Sequence, residues 1–308
     1  MTSPQATQPI RLSVVIGSHN TSQVIVECLS ALERQADLAA MEIIVADSSS
    51  DGTDELIRRR FPSVRLLHFE EPLGVPQLRG RGIAAAHGAI VAILDPYSVA
   101  DDNWSSEILR AHDTRPNAVI GGTVDLYRAG EQSLAAWTLY INEYGMFMSP
   151  VRGGDAWIVP GSNVAYKREV LFDGDTPRQK VFWKTFVNWK VEEGGSALWL
   201  EPRIRVALNK PIPLSDYFRT RFWHGRCFAG LRVSQTGWPH RLLRAASTPL
   251  IPFLLCYRWG RVFWPKGPRR GMFLLTLPMQ LVLFGAWAVG ELQGYLFGAG
   301  DTCGKLYY

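Results

Sequence analysis

The chain has 308 residues, 47% of them hydrophobic, enough for one large core or two modest ones. Its net charge of +5 is segregated: residues 1–202 carry 18 Lys and Arg against 25 Asp and Glu, and residues 203–270 carry 14 against the single acid Asp216. An acidic globular part followed by a basic segment suits anionic lipid, phosphate or nucleic acid. Cys28, Cys227, Cys256 and Cys303 lack paired spacing, which predicts neither a disulfide framework nor a zinc site.

Met1–Pro9 is polar and not a signal peptide, so the globular part is expected in the cytoplasm. Leu12–Ile16 is a buried-strand run, followed by the loop Gly17-Ser18-His19-Asn20. Val24, Cys28, Leu29 and Leu32 give Thr21–Ala36 a helical period. Next, M-E-I-I-V-A-D-S-S-S-D-G-T at 41–53 leads a strand, Glu42–Ala46, into Asp47, a serine-rich turn and a helix beginning near Asp51. A carboxylate at the C-terminal edge of a parallel strand lies where open α/β sheets bind ligands, and the adjoining turn supplies backbone N–H groups. Val64–His68 is a third strand, Pro76–His87 a helix stopped by Gly88, Ile90–Leu94 a fourth strand ending at Asp95, and Ala118–Leu126 a fifth. This alternation predicts an α/β fold with a mostly parallel sheet and flanking helices. From Trp137 the pattern loosens. Gly153–Val170 is loop-like, Val164–Leu171 begins a helix or a strand, Phe182–Val191 has helical spacing, and Ala197–Leu200 is a short strand before Pro202.

The junction near Lys210–Asp216 divides the chain into a ligand-binding domain, 1–210, and a C-terminal part, 211–308, of basic interfacial segment and membrane helices. Gly271–Gly290 is uncharged over 20 residues, about the length that crosses a hydrocarbon core. Ala245–Tyr257 is uncharged over 13 residues but contains Pro249 and Pro252, and reads as a re-entrant or interfacial element. Arg258, Arg261, Lys266, Arg269 and Arg270 crowd against the longer stretch as a positive-inside flank. One crossing with Tyr308 outside is the expected topology, a two-helix hairpin its rival. A charge patch that abuts such a segment points to an anionic bilayer and away from nucleic acid. At helical spacing, Phe218, Phe222 and Trp223 suit the headgroup layer while Arg219, Arg221 and Arg226 meet phosphate.

Five motifs in order make the chain resemble the family 2 glycosyltransferases of GT-A (Rossmann-like) fold: S-V-V-I-G-S-H-N at 13–20, I-I-V-A-D-S-S-S-D-G-T at 43–53, L-G-V-P-Q-L-R-G-R-G-I-A-A-A-H-G at 73–88, A-I-L-D at 92–95 and G-S-N-V-A-Y-K-R-E-V-L at 161–171. The resemblance covers roughly residues 10–205. It implies an inverting transferase that moves a sugar from a nucleotide-diphosphate donor to an acceptor, here a lipid-linked or membrane glycan, at the inner membrane with the catalytic domain cytoplasmic. It also implies that Gly17, Ser18, Asp47, Arg79 and Asp95 bind the nucleotide, and that Gly161, Ser162 and Asn163 shape the sugar and acceptor pocket. Asp95 is the first acid of the family's Asp-x-Asp metal motif, so the implied cofactor is Mg²⁺ or Mn²⁺. The sequence continues Asp95-Pro96-Tyr97-Ser98, without the second acid, which leaves a metal-independent site open; Asp101 and Asp102 are either back-reaching ligands or a helix cap. The family's Glu-Asp pair that holds the general base falls on Trp183-Lys184. Asp173, Asp175 and Glu192 are then the substitute bases. The alternative reading is a catalytically degenerate relative that binds a nucleotide sugar or acts as a scaffold.

Overall fold

The computed structural model describes residues 9–210, 213–234, 236–267 and 269–306. The polar start at 1–8, junction residues 211 and 212 and the terminal Tyr308 lie outside the described residues. Two compact units emerge, 1–127 with 149–209, and 128–148 with 210–308. The second unit therefore draws in residues 128–148, which the expected division at 210 assigned to the first.

In the first unit, strands β1 (Leu12–Ser18), β2 (Met41–Asp47), β3 (Arg65–His68) and β4 (Ile90–Leu94) alternate with helices α1 (Ile25–Glu33), α2 (Thr53–Arg60) and α3 (Val75–Ala84). A short β5 (Ser98–Ala100), α4 (Trp104–Thr114) and β6 (Val119–Leu126) follow. Helix α5 (Leu134–Tyr144) belongs to the second unit. The chain then returns through β7 (Gly154–Ala156), β8 (Asn163–Lys167), the single turn α6 (Arg168–Leu171), the hairpin β9 (Phe172–Asp173) and β10 (Thr176–Pro177), α7 (Lys184–Glu193) and β11 (Leu198–Leu208).

Nine of these strands form one sheet, in the order β3-β2-β1-β4-β8-β6-β11-β5, with β7 beside β11. Neighbours among β1–β4 are parallel, as is the β6–β11 pair, while β8 runs antiparallel between β4 and β6. Strands β1 and β4 are buried along their whole length, the continuous Val/Ile/Leu pattern of a sheet covered on both faces. Two expectations change here. The loop expected over Gly153–Val170 contains β7 and β8. The short strand before Pro202 is instead an 11-residue strand whose register with β6 shifts between Leu200 and Arg205, so Pro202 and its missing N–H sit inside the irregularity.

In the second unit, α8 (Leu214–Arg232), α9 (Trp238–Ser247) and α10 (Ile251–Phe263) precede α11 (Arg269–Phe297). Helix α11 has 29 residues and is long and apolar enough to cross a membrane. Its second half lies on α8 with the backbones almost touching. A Cβ on Gly290 would stand 2.2 Å from the Phe222 carbonyl oxygen, and one on Gly294 would stand 2.4 Å from that of Arg226. This is the small-residue spacing that lets helices approach closely. The same packing corrects the cysteine reading: Cys227 on α8 is bonded to Cys303 beyond α11, with Cα atoms 5.1 Å apart. A separation of 76 positions hid the pairing, because only the α8–α11 contact brings the two together.

Candidate active site

Strand order places the crevice. The chain winds outward from β1 through β2 to β3, then crosses to β4 on the other side of β1. At such a reversal the loops beyond neighbouring strands diverge, and ligands bind outside the C-terminal strand ends. Register puts Ser18 beside Asp47 and Asp47 beside His68, while Ile16 pairs with Leu94, so Asp95 leaves the sheet at the same edge.

Asp47 has no exposed surface. Its Oδ1 accepts the Ser49 hydroxyl at 2.5 Å; its Oδ2 accepts the Ser49 N–H at 3.1 Å and His68 Nδ1 at 2.9 Å. Ser49 and His68 thus enclose the Asp47 carboxylate. The β1 and β2 loops are laced together. The Asn20 N–H donates to Ser49 Oγ at 2.7 Å, the Ser50 N–H to Asn20 Oδ1 at 2.9 Å, and the Thr21 N–H to Thr53 Oγ1 at 3.1 Å. Burial alone would raise the Asp51 pKa, but hydrogen bonds from Thr53 and Ser22 hold it below the usual carboxylate value. Ser18 is buried, its hydroxyl 2.8 Å from that of Thr21.

Across β1, the Arg79 guanidinium on α3 pairs with Asp95. Arg79 packs against Gly17, where a Cβ would stand 3.4 Å from its Cγ. Arg79 Nε is buried without a hydrogen-bond partner, which leaves a donor for a ligand. The Phe182 N–H donates to the Pro76 carbonyl at 2.8 Å, bringing the start of α7 against the start of α3. Lys184, in the first turn of α7, donates from Nζ to the Val159 carbonyl at 2.7 Å and packs along Gly161. Burial, and then the Arg79 charge, push its pKa down to about 8. Lys184 thus lies against the Gly161 loop, with the Arg79 charge near enough to act on it.

The structure separates the remaining sequence candidates. Ser162 is fully buried with its hydroxyl unpartnered. Asn163 is no pocket wall: it is fully buried and saturated, accepting Trp104 Nε1–H at 2.8 Å and donating to the carbonyls of Thr123 at 2.8 Å and Ile204 at 3.0 Å. It ties β8 to β6, β11 and α4. The three candidate bases lie at the wrong edge. Strand β8 runs antiparallel to β4, so Asn163 is level with Leu94 and Lys167 level with Ile90. Asp173 and Asp175 follow Lys167 within a few residues, and Asp175 is 3.6 Å from Arg168, which itself bonds the carbonyls of Ala86 and Ala89 below β4. Asp173 is exposed, 3.9 Å from Arg178. Glu192 is at the far end of α7, about 12 Å along the axis from Lys184. A carboxylate at the opposite sheet edge is out of hydrogen-bond reach of an acceptor at the Asp95 edge.

Asp101 is engaged by Arg205 at 2.8 Å and Asp102 lies 3.9 Å from Arg34, so neither reaches back to Asp95, and α4 has no side-chain cap. The donor set does not fit a divalent cation. Asp95 is the only acid of its turn, Arg79 holds its Oδ1, and the buried Tyr97 occupies the position of the second acid. Among the described residues, no three His, Cys, Asp or Glu side chains cluster as cation ligands. In the second unit Arg219 is exposed, Arg221 lies over the Trp287 ring at 4.4 Å, and Arg226 donates to the Gly298 carbonyl at 3.2 Å. His68 and Ser49 were not anticipated, although the end of the third strand already marked His68 in the sequence.

An open α/β sheet with an enclosed Asp at one strand end and an Arg-paired Asp at the next but one defines a GT-A-type nucleotide-sugar fold. The family model "Glycosyl transferase family 2" matches residues 13–173, and the chain belongs to that family. It is similar to the glycosyltransferase GlyG of Streptococcus pneumoniae, 30% identical over 95 residues (30% of this chain, 32% of that protein). It is also similar to the uncharacterized glycosyltransferase YibD of Escherichia coli, 36% identical over 95 residues (30% and 26%). The chain thus spans about a third or less of the curated relatives it matches. Among solved structures it resembles the mannosyltransferase PcManGT from Pyrobaculum calidifontis in complex with GDP-Man and Mn²⁺, at TM-score 0.56 and 19% identity, covering 96% of this chain and 88% of that one. Residues 1–349 of S. aureus TarS in complex with UDP-GlcNAc give TM-score 0.53 at 13% identity, with 92% and 91% covered.

Proposed function

We propose that the protein is an inverting glycosyltransferase that moves a sugar from a nucleoside-diphosphate donor to a lipid-linked or other membrane glycan. The observation that carries this is the pairing of Ser18–Asp47–His68 on one side of the β1 edge with Arg79–Asp95 on the other, at the reversal of strand order. The first cluster suits a nucleoside, and the second presents a guanidinium fork to a diphosphate. An anionic bilayer is the partner that the second unit suits. Leu243, Phe253, Tyr257, Trp264 and Leu275 are exposed along α9, α10 and the first half of α11, among the exposed Arg258, Arg261 and Arg270. The second half of α11 is covered by α8 and its arginines, which favours an anchor lying in the interface over a full crossing.

The test is to incubate the purified chain with UDP- and GDP-sugars labelled in the sugar, together with a membrane lipid extract. Label is expected in the lipid phase with one donor class. No transfer and no donor hydrolysis with any of them refutes the enzymatic reading. A second reading, a degenerate relative that binds a nucleotide sugar without turnover, is favoured by one observation: the three substitute carboxylates lie away from the Asp95 edge, while the resemblance aligns the family's acidic pair with Trp183 and Lys184. Nucleotide binding without transfer or hydrolysis would establish that reading.

A further inference from the structure

Lys184 stands where the family resemblance places an acid, and the second acid of the metal motif is a tyrosine. The two departures belong together. A divalent cation at a diphosphate site neutralises phosphate charge and is itself held by carboxylates. Here the second acid of the metal motif and the acidic pair are replaced, and the contact of Phe182 with Pro76 brings the start of α7, with Lys184, to the start of α3, close enough for the Arg79 charge to be felt at Lys184. Around Asp95 itself, Arg79 and Lys184 outnumber the one carboxylate, which disfavours a further Mg²⁺ or Mn²⁺ beside it.

The fold has arranged for both cations. Arg79 packs against Gly17, and its Nε is buried with no partner. Gly161 lies along the Lys184 stem, and the Val159 carbonyl holds one of its ammonium hydrogens at 2.7 Å, with two N–H donors remaining. The unpartnered Ser162 hydroxyl is next to the same glycine. With Arg79 already paired to Asp95, the part-buried Lys184 ammonium has no carboxylate of its own, and a bound polyanion would supply the missing countercharge.

We propose that Arg79 and Lys184 together bind the diphosphate of the nucleotide donor without a divalent metal ion, Arg79 as a planar fork and Lys184 as a point charge. This rests on the nucleotide-sugar reading above and makes Lys184 a binding residue that replaces the metal.

The experiment is calorimetric titration of the full chain with UDP, GDP, UMP and GMP, in EDTA and again in excess Mn²⁺. One nucleoside diphosphate is expected to bind in EDTA with a Kd within about threefold of its value in Mn²⁺. Lys184→Met should weaken that diphosphate by about tenfold or more while changing the matching monophosphate much less, and Lys184→Arg should restore most of the loss. Thermal unfolding of the variants shows whether the fold persists. Diphosphate binding that vanishes in EDTA and returns with Mn²⁺ overturns the inference and leaves the nucleotide reading standing. So does a Lys184→Met protein that melts like the parent and binds diphosphate as the parent does. If no nucleotide binds in either buffer, the nucleotide reading falls and takes this inference with it.

Discussion

Replacing Asn163 by alanine tests whether this residue is scaffold or pocket. Its side chain makes three buried hydrogen bonds, one from Trp104 Nε1 and two to the carbonyls of Thr123 and Ile204. Truncation strands the indole N–H and removes a partner from each carbonyl. A buried polar group left unsatisfied costs roughly 1–3 kcal/mol. The indole has no second site and falls at the upper end, whereas each carbonyl keeps a further lone pair and falls at the lower. About 3–5 kcal/mol is the expected total, a large share of the roughly 5–15 kcal/mol that holds a typical domain folded. The collapse that usually softens such losses is blocked, because Gly122 already brings Ile204 against the same amide; a Cβ there would be 2.0 Å from the Ile204 carbonyl oxygen. Urea unfolding followed by tryptophan fluorescence gives the midpoint, and Trp104→Phe completes a double-mutant cycle, with an expected coupling of about 1–2 kcal/mol. A variant that unfolds at the parent midpoint yet loses sugar-nucleotide affinity would refute this account and return Asn163 to the pocket.

His112 on α4 is buried with neither ring nitrogen well hydrogen-bonded; burial, then the Lys167 charge, lower its pKa from 6.5 to about 4, against a weaker opposing pull from the Ala165 backbone. A depressed histidine pKa means that the unfolded chain takes up a proton before the folded one does. Stability should therefore fall by up to about 3 kcal/mol between pH 6.5 and 4, and His112→Leu should flatten that part of the profile; parallel urea midpoints against pH for both proteins would disprove it. Gly294→Val should force α8 and α11 apart, since its Cβ would lie 2.4 Å from the Arg226 carbonyl oxygen and 2.7 Å from Ala229 Cβ. A loss of about 1–3 kcal/mol in detergent unfolding is expected, against no loss for Gly285→Ala, whose Cβ would meet nothing. Equal melting of the two variants would disprove that packing.

Strands β1, β2 and β4 were readable because they are buried along nearly their whole length. Continuous apolar runs at Leu12–Ile16, Glu42–Ala46 and Ile90–Leu94, each ending in a polar turn, leave few alternatives. What lies after Trp137 was not, because periodicity is silent about strand direction. Once β8 is known to run antiparallel, Asn163 moves to the Asp95 edge and Asp173 and Asp175 to the other; the same residues in a parallel strand would have exchanged places. Asn163 shows a second limit. An asparagine after Gly-Ser has the signature of a turn, and only the enclosing α4, β6 and β11 reveal it as a buried three-way clasp. The resemblance singles out Lys184, but its meaning needs the Arg79 charge acting on it, from a residue 105 positions earlier in the chain.

The bond between Cys227 and Cys303 makes a covalent ring of the intervening chain, with α9, α10 and α11 all threaded along it. Closing a loop of 76 residues removes on the order of 4 kcal/mol of freedom from the unfolded ensemble in the chain-entropy description. The greasiest stretch of the protein is thus also the one least able to sprawl when it comes undone, so a transient opening exposes its leucines and tryptophans as a tethered bundle instead of a loose tail.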